Sequence, residues 1–135
     1  MYKNILIPIA PDHEGTLMES VAVARALADE DAKLTVLSVV EMAASYVMAE
    51  VPLTAFDNSR DEVEAQMKEV LHEDSHIDLK VLLGHPPMII NDTAQEDGCD
   101  LIVIRSHKPG LADWFLGSTA SRVVRHAGCS VHVIR

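Results

Sequence analysis

Positive charge is scarce in this chain: 11 lysines and arginines stand against 21 aspartates and glutamates, a formal net charge of −10. Nucleic acid demands a basic face and is therefore excluded as the expected partner, while the excess charge favours solubility. Long apolar runs are missing as well. No stretch approaches the roughly 20 residues of a membrane-spanning helix, and the N-terminus has no charged leader followed by an apolar signal region. The expectation is a cytoplasmic protein without membrane contact. Only two cysteines occur, Cys99 and Cys129, at a spacing that matches no metal motif. Each precedes or begins a buried strand, so both read as reduced core thiols. Internal repeats and low-complexity tracts are absent, and 135 residues leave no room for a second domain beside one spanning 1–135.

What remains is an average globular balance, 48% apolar and 24% charged, which argues against disorder. Lys3 to Ile9 is a nearly unbroken apolar strand. Pro11-Asp12-His13-Glu14-Gly15 makes a turn, and apolar spacing at Leu17, Val21, Ala24 and Leu27 predicts a helix from Thr16 to Ala28, closed in solvent by Asp29-Glu30-Asp31. Leu34 to Val40 is the second strand, which completes a right-handed βαβ unit. From Glu41 to Asn58 no period is sustained, and the stretch reads as a mobile excursion over the sheet. A helix from Ser59 to Glu73 follows, with Val63, Met67 and Val70-Leu71 on one face, then a third strand, Ile77 to Leu83. Gly84-His85-Pro86-Pro87 turns into a helix whose early proline suits the first turn, with Met88, Ile89, Ile90 and Ala94 inward and Gly98 at its end.

The last segment, Leu101 to Arg135, reads as strand, loop, helix, strand. The β-branched run ending at Ile104 suits a strand buried on both faces and is stopped by Arg105. Ser106-His107-Lys108-Pro109-Gly110 begins a loop that lasts to Gly117. A helix from Ser118 to His126 is expected to end at Gly128, and Cys129 to Ile134 resumes the β pattern. Gly117 and Ser118 would leave backbone N–H groups and the positive end of the helix dipole facing the loop, a start that favours anions, phosphate above all. Five strands alternating with four helices predict a doubly wound α/β fold with a mostly parallel sheet in the flavodoxin-like order 3-2-1-4-5. That order sets strands 1 and 4 side by side at a topological switch point, so the loops after Ile9 and after Arg105 share one crevice.

The stretch Tyr2-Lys3-Asn4-Ile5-Leu6-Ile7-Pro8-Ile9, then Gly84-His85-Pro86, Ser106-His107-Lys108-Pro109, Leu116-Gly117-Ser118 and Val123 to Val131 occur in an order that resembles the universal stress protein family. The likeness is greatest to its small single-domain branch, typified by universal stress protein F, and covers the whole chain. It implies an adenine nucleotide, ATP or else ADP or AMP, bound by Pro8, Ala10, Asp12, Val39, Ile104, Arg105, His107, Lys108, Gly117, Ser118 and Thr119. It also implies a stress-response regulator with little or no hydrolysis, dimerising through the strand at 129–135. An edge strand is itself best protected by pairing with its copy across a two-fold axis.

The chain departs from the family pattern in two places. Nucleotide-binding members carry Gly, two residues, Gly, nine residues, Gly and Ser or Thr after strand 4; here only Gly117-Ser118 survives. Arg105 replaces the first glycine and Lys108-Pro109 the second, in a loop one residue shorter. Fewer backbone amides can wrap a phosphate, and cationic side chains would have to compensate. Where ATP-binding members have an aspartate two residues after the proline, this chain has Ala10, with Asp12 nearby. Two readings stay open: a nucleotide-binding regulator, and a dimeric protein-interaction module whose site has degenerated.

The other candidates are weaker. His72 and His76 have a spacing that can bind metal, but at a helix end they read as a solvated turn. His107 reads first as structural and His126 as packing or capping. Trp114 and Phe115 read as covering the crevice or the dimer seam. Ser118 would accept a phosphoryl group only with a general base, and none is identified, so no catalytic residue and no metal ligand is assigned. A receiver domain would need an aspartate at the end of strand 3, where Leu82-Leu83-Gly84 stands.

Overall fold

A computed structural model of the protein describes residues 1–41, 53–71, 76–106 and 116–135, the side chains of positions 14 and 53–57 excepted. Its strands are β1 (Tyr2–Pro8), β2 (Ala28–Glu41), β3 (Ile77–Gly84), β4 (Leu101–Arg105) and β5 (Ser130–Ile134). Its α-helices are α1 (Leu17–Leu27), α2 (Leu53–Leu71), α3 (Pro86–Glu96) and α4 (Ser118–His126). All strand pairings are parallel, in the order β3-β2-β1-β4-β5 expected from the sequence. Among the described residues no helix is long and apolar enough to cross a membrane.

β1 lies at the centre with a strand on each side, which is why it is apolar almost throughout: Ile5, Leu6 and Ile7 are fully buried. Strand alternation divides these side chains between two cores. Ile5 and Ile7 pack on one face of the sheet with Leu17, Val21 and Ala24 of α1 and Met67 and Leu71 of α2. Leu6 packs on the other with Ile90 and Ala94 of α3 and Ala120 and Val123 of α4. Each isoleucine, leucine, valine or methionine among these contributes about 1.5–3 kcal/mol by leaving water, the alanines less. β4 alternates likewise, with Leu101 and Val103 on the α1 side and Ile102 and Ile104 on the α4 side. Arg105, next in the alternation, therefore starts out toward α1.

Several expectations are corrected. β2 begins six residues before Leu34. Its register with β1 runs Tyr2↔Ala28 and then Asn4↔Lys33, so the acidic Asp29-Glu30-Asp31 forms an irregularity inside the strand instead of closing α1. The N-terminal ammonium pairs with Asp29 there. α2 begins at Leu53, inside the stretch expected to be an excursion; the rest of that excursion, 42–52, and the expected helix end at 72–73 lie outside the described residues. Met88 points outward, 56% exposed. The buried face of α3 is Pro87, Ile90, Thr93 and Ala94, an i, i+3, i+6, i+7 set from which Met88, about 200° around the helix from Ile90, is excluded. Gly98 ends α3 as expected, with φ at 66° and its N–H on the Gln95 carbonyl at 3.2 Å. Gly128 plays no such part: α4 stops at Ala127, which turns extended (φ −64°, ψ 138°) while donating to the Val123 carbonyl. Cys99 is buried, Cys129 half-buried, and both are free.

At the N-terminal end of the sheet, away from the crevice, Asp100 accepts the backbone N–H groups of Lys3 (2.9 Å) and Asn4 (3.0 Å). The Asn4 side-chain Nδ2 in turn donates to the Asp97 carbonyl at 2.7 Å. Asp97 also holds Lys80 at 2.7 Å. These bonds tie β1, β3 and the turn before β4 together.

Candidate functional site

The C-terminal ends of β1, β2 and β4 open on a cavity of about 340 Å³. The β1 loop supplies Pro8, Ile9, Ala10, Pro11, Asp12 and His13, β2 supplies Leu37, Val39 and Glu41, α3 supplies Pro86 and Ile90, β4 supplies Ile104 and Arg105, and α4 supplies Thr119. Its position is dictated by topology. Chain connections leave β1 and β4 in opposite directions across the sheet, and the gap between them cannot be filled by either. Its volume falls in the lower part of the roughly 300–1,000 Å³ typical of small-molecule sites.

Short local bonds shape the β1 side. The His13 amide donates to the Ala10 carbonyl at 2.9 Å, and Thr16 returns both its amide (3.0 Å) and its hydroxyl (2.9 Å) to the His13 carbonyl. These successive turns lead the chain from β1 into α1. They leave the Asp12 carboxylate 83% exposed at the rim, 3.8 Å from the His13 imidazole. The floor is apolar: Leu37 and Val39 from β2, Ile90 from α3 and Ile104 from β4 all belong to the α3 and α4 core. A flat apolar group can lie on this floor while polar groups at the rim hold its substituents.

The residues expected to bind a nucleotide are only partly gathered here. Pro8, Ala10, Asp12, Val39, Ile104, Arg105 and Thr119 all line the cavity. Gly117 and Ser118 stand beside it without lining it, and the Gly117 N–H is taken by the Ser106 hydroxyl at 3.1 Å. Ser118 is exposed. His107, Lys108, Trp114 and Phe115 lie outside the described residues, as does His72. No side chain caps α4, so the amides of its first turn keep the donor character expected of a helix start. Arg105 is engaged elsewhere: its Nη2 pairs with Glu19 of α1. Ile9, Pro11, His13, Leu37, Glu41, Pro86 and Ile90 were not anticipated. Alternation from Val39 points to Leu37 and Glu41, and the packing of α3 beside β1 points to Ile90.

A larger cavity, about 710 Å³, runs between α3 and α4 past His85, Met88, Asn91, Arg122, His126, Cys99 and Cys129. It lies along the helices, away from the switch point between β1 and β4, so topology gives the smaller cavity the stronger claim. Arg122 Nη1 sits 3.1 Å from His85 Nε2 there, and His126 is exposed in the last turn of α4 rather than packed. Burial, helped by the neighbouring Asp97 carboxylate, pushes the Cys99 thiol up to about 11, and burial raises Cys129 as well, so neither is a ready nucleophile. Among the described residues no three His, Cys, Asp or Glu side chains converge as a metal site.

Comparison with known proteins agrees with the fold. The universal stress protein family model matches residues 1–135. Universal stress protein G of Escherichia coli O157:H7 is 28% identical over the full length of both chains. Universal stress protein UspA from Lactobacillus plantarum is similar in structure, with 29% identity and a TM-score of 0.72 over 99% of this chain and 98% of that one. A universal stress protein whose structure was determined in complex with cAMP has the same fold at 18% identity, with a TM-score of 0.62 over 99% of this chain and 97% of that one.

Proposed function

Because the chain belongs to the universal stress protein family, we propose that the crevice between the β1 and β4 loops binds an adenine nucleotide, ATP or a related mono- or diphosphate, and that the protein works as a regulator rather than an enzyme. The observation that carries this reading is the cavity itself. Leu37, Val39, Ile90 and Ile104 provide an apolar floor suited to a purine, and Asp12, Thr119 and Arg105 stand at the rim within one enclosure. A neighbour of the same fold in complex with cAMP supports the ligand class. No catalytic residue is assigned, and hydrolysis is slow or absent.

A second reading, a dimeric interaction module with a degenerate crevice, is favoured by two contacts. Arg105 is paired with Glu19, and the Gly117 amide with Ser106, so two donors expected for phosphate are used within the chain. The experiment that separates the readings is to denature protein purified without added nucleotide, identify the released small molecules by mass spectrometry, and titrate the stripped protein with ATP, ADP and AMP. Release or rebinding of any of the three supports the regulator. Failure of all three to bind selects the interaction module.

A further inference from the structure

Arg105 is the structural centre of a competition. Its Nη2 meets Glu19 Oε2, yet Nε, on the same edge of the guanidinium, is buried and has no acceptor among the described residues. A guanidinium edge presents two parallel donors, which a carboxylate or phosphate in full register fills together. Here one donor is filled and its neighbour is not. Glu19 is also 67% exposed, whereas the Arg105 side chain is only 19% exposed. An exposed carboxylate on a flexible stem is a weak hold, because water and salt compete for it. The rest of the rim adds to this: Asp12 and Glu41 bring further carboxylates, so Arg105 is the lining residue with a permanent positive charge among those described.

We infer that Glu19 is a displaceable internal counter-anion: it holds Arg105 against α1 until a phosphate group on the ligand takes the guanidinium from it. This inference rests on the nucleotide reading of the crevice and assigns that site an internal gate. Once the side chain leaves α1 and Nε is uncovered, a phosphate oxygen pair can satisfy Nη2 and Nε together, which Glu19 does not. The free energy of binding the phosphate is therefore reduced by the cost of releasing Glu19. A nucleoside without phosphate has nothing to offer Arg105 and is indifferent to the pair. Two residues 86 positions apart in sequence thus set the preference for phosphorylated over unphosphorylated ligand.

The test is calorimetric titration of AMP and of adenosine into wild type, Glu19→Gln, Arg105→Gln and the double variant. Glu30→Gln, at the opposite end of the sheet, controls for the loss of one negative charge, and circular dichroism verifies each fold. Glu19→Gln is expected to tighten AMP roughly fivefold and leave adenosine unchanged. Within the Arg105→Gln background it is expected to have no effect. If Glu19→Gln leaves AMP affinity as it was, or weakens it, while AMP still binds, the gate is overturned and the nucleotide reading stands. If neither ligand binds any of the proteins, the nucleotide reading falls and takes the gate with it.

Discussion

The Ser106 hydroxyl accepts the Gly117 amide at 3.1 Å, joining the two ends of the connection from β4 to α4. Ser106 also donates its own N–H to the Ile134 carbonyl at 2.8 Å, which ties the same point to the end of β5. One small residue thereby fixes where α4 begins relative to the sheet. Ser106→Ala removes the acceptor and leaves a part-buried amide unpaired, a loss of about 0.5–1.5 kcal/mol. Urea unfolding should show the midpoint falling by the corresponding amount with the slope unchanged. A midpoint equal to wild type would mean that the bond adds nothing to stability.

Asp100 makes stability depend on acid. Burial raises its carboxyl pKa, but hydrogen bonds from the Lys3 and Asn4 amides and the nearby Lys3 charge outweigh that and hold it below the usual carboxylate range. A lowered folded pKa means that the unfolded chain binds the proton more readily. The stabilisation is therefore complete above the unfolded value, about 3.9, and is lost as pH falls through the lower folded value. Asp100→Asn is expected to reduce the melting temperature at pH 7, with wild type and variant drawing together as the pH falls through the lowered folded value. A gap that stays constant from pH 7 to pH 2 would remove the charge from the explanation and leave only the shape of the side chain.

Gly84 is the hinge from β3 into α3. Its φ of 149° lies in the region that side-chain-bearing residues avoid. A Cβ there would also meet Ile89 Cγ1 at 2.9 Å and Cδ1 at 3.0 Å. Ile89 can rotate away, but the backbone strain cannot be relieved by a neighbour. Gly84→Ala is expected to destabilise by about 1–3 kcal/mol, read by thermal or urea unfolding. Gly15→Ala is the companion measurement: its Cβ would enter open space, and a much smaller change is expected. Equal effects at both positions would refute the conformational account.

Legibility from sequence followed the physics of each element. The buried halves of the strands stood out because a strand covered on both faces must be apolar, as Ile5 to Ile7 and Leu101 to Ile104 are. The exposed half of β2 did not, since Asp29 to Lys33 carries charge and an irregular register that no alternation rule describes. The outward turn of Met88 was open to reading from spacing: it lies about 200° around α3 from Ile90, so both cannot face the core, and Ile90 is the one paired at i, i+4 with Ala94. The crevice was legible because strand order alone fixes it. The partner of Arg105 was not, because Glu19 is remote in sequence and exposed on its helix. Half of that contact was nevertheless written in β4, whose alternation already turns Arg105 toward α1.

The last prediction concerns the edge of the sheet. β5 pairs with β4 alone, so its other side presents strand N–H and C=O groups with no strand partner among the described residues. Val131, Val133 and Ile134 are half-buried and give this edge an apolar character, while His132, at the middle of the strand, is exposed. Such an edge tends to pair with another chain unless charge or a bulge prevents it, and a two-fold axis lets a strand satisfy its own copy. We propose a homodimer through 129–135 on that basis. A two-fold pairing centred on the strand sets His132 against its counterpart, where two lysines would repel each other at close range. Sedimentation or light scattering at micromolar concentration should therefore give twice the 14.8 kDa chain mass for wild type and a shift toward the single mass for His132→Lys. Lysine at an exposed position leaves the pairing with β4 intact, so the variant should keep its melting behaviour once the loss of the dimer is allowed for. Wild type that sediments at the single mass would exclude β5 as the dimer seam, and any role in assembly would then have to lie on another surface.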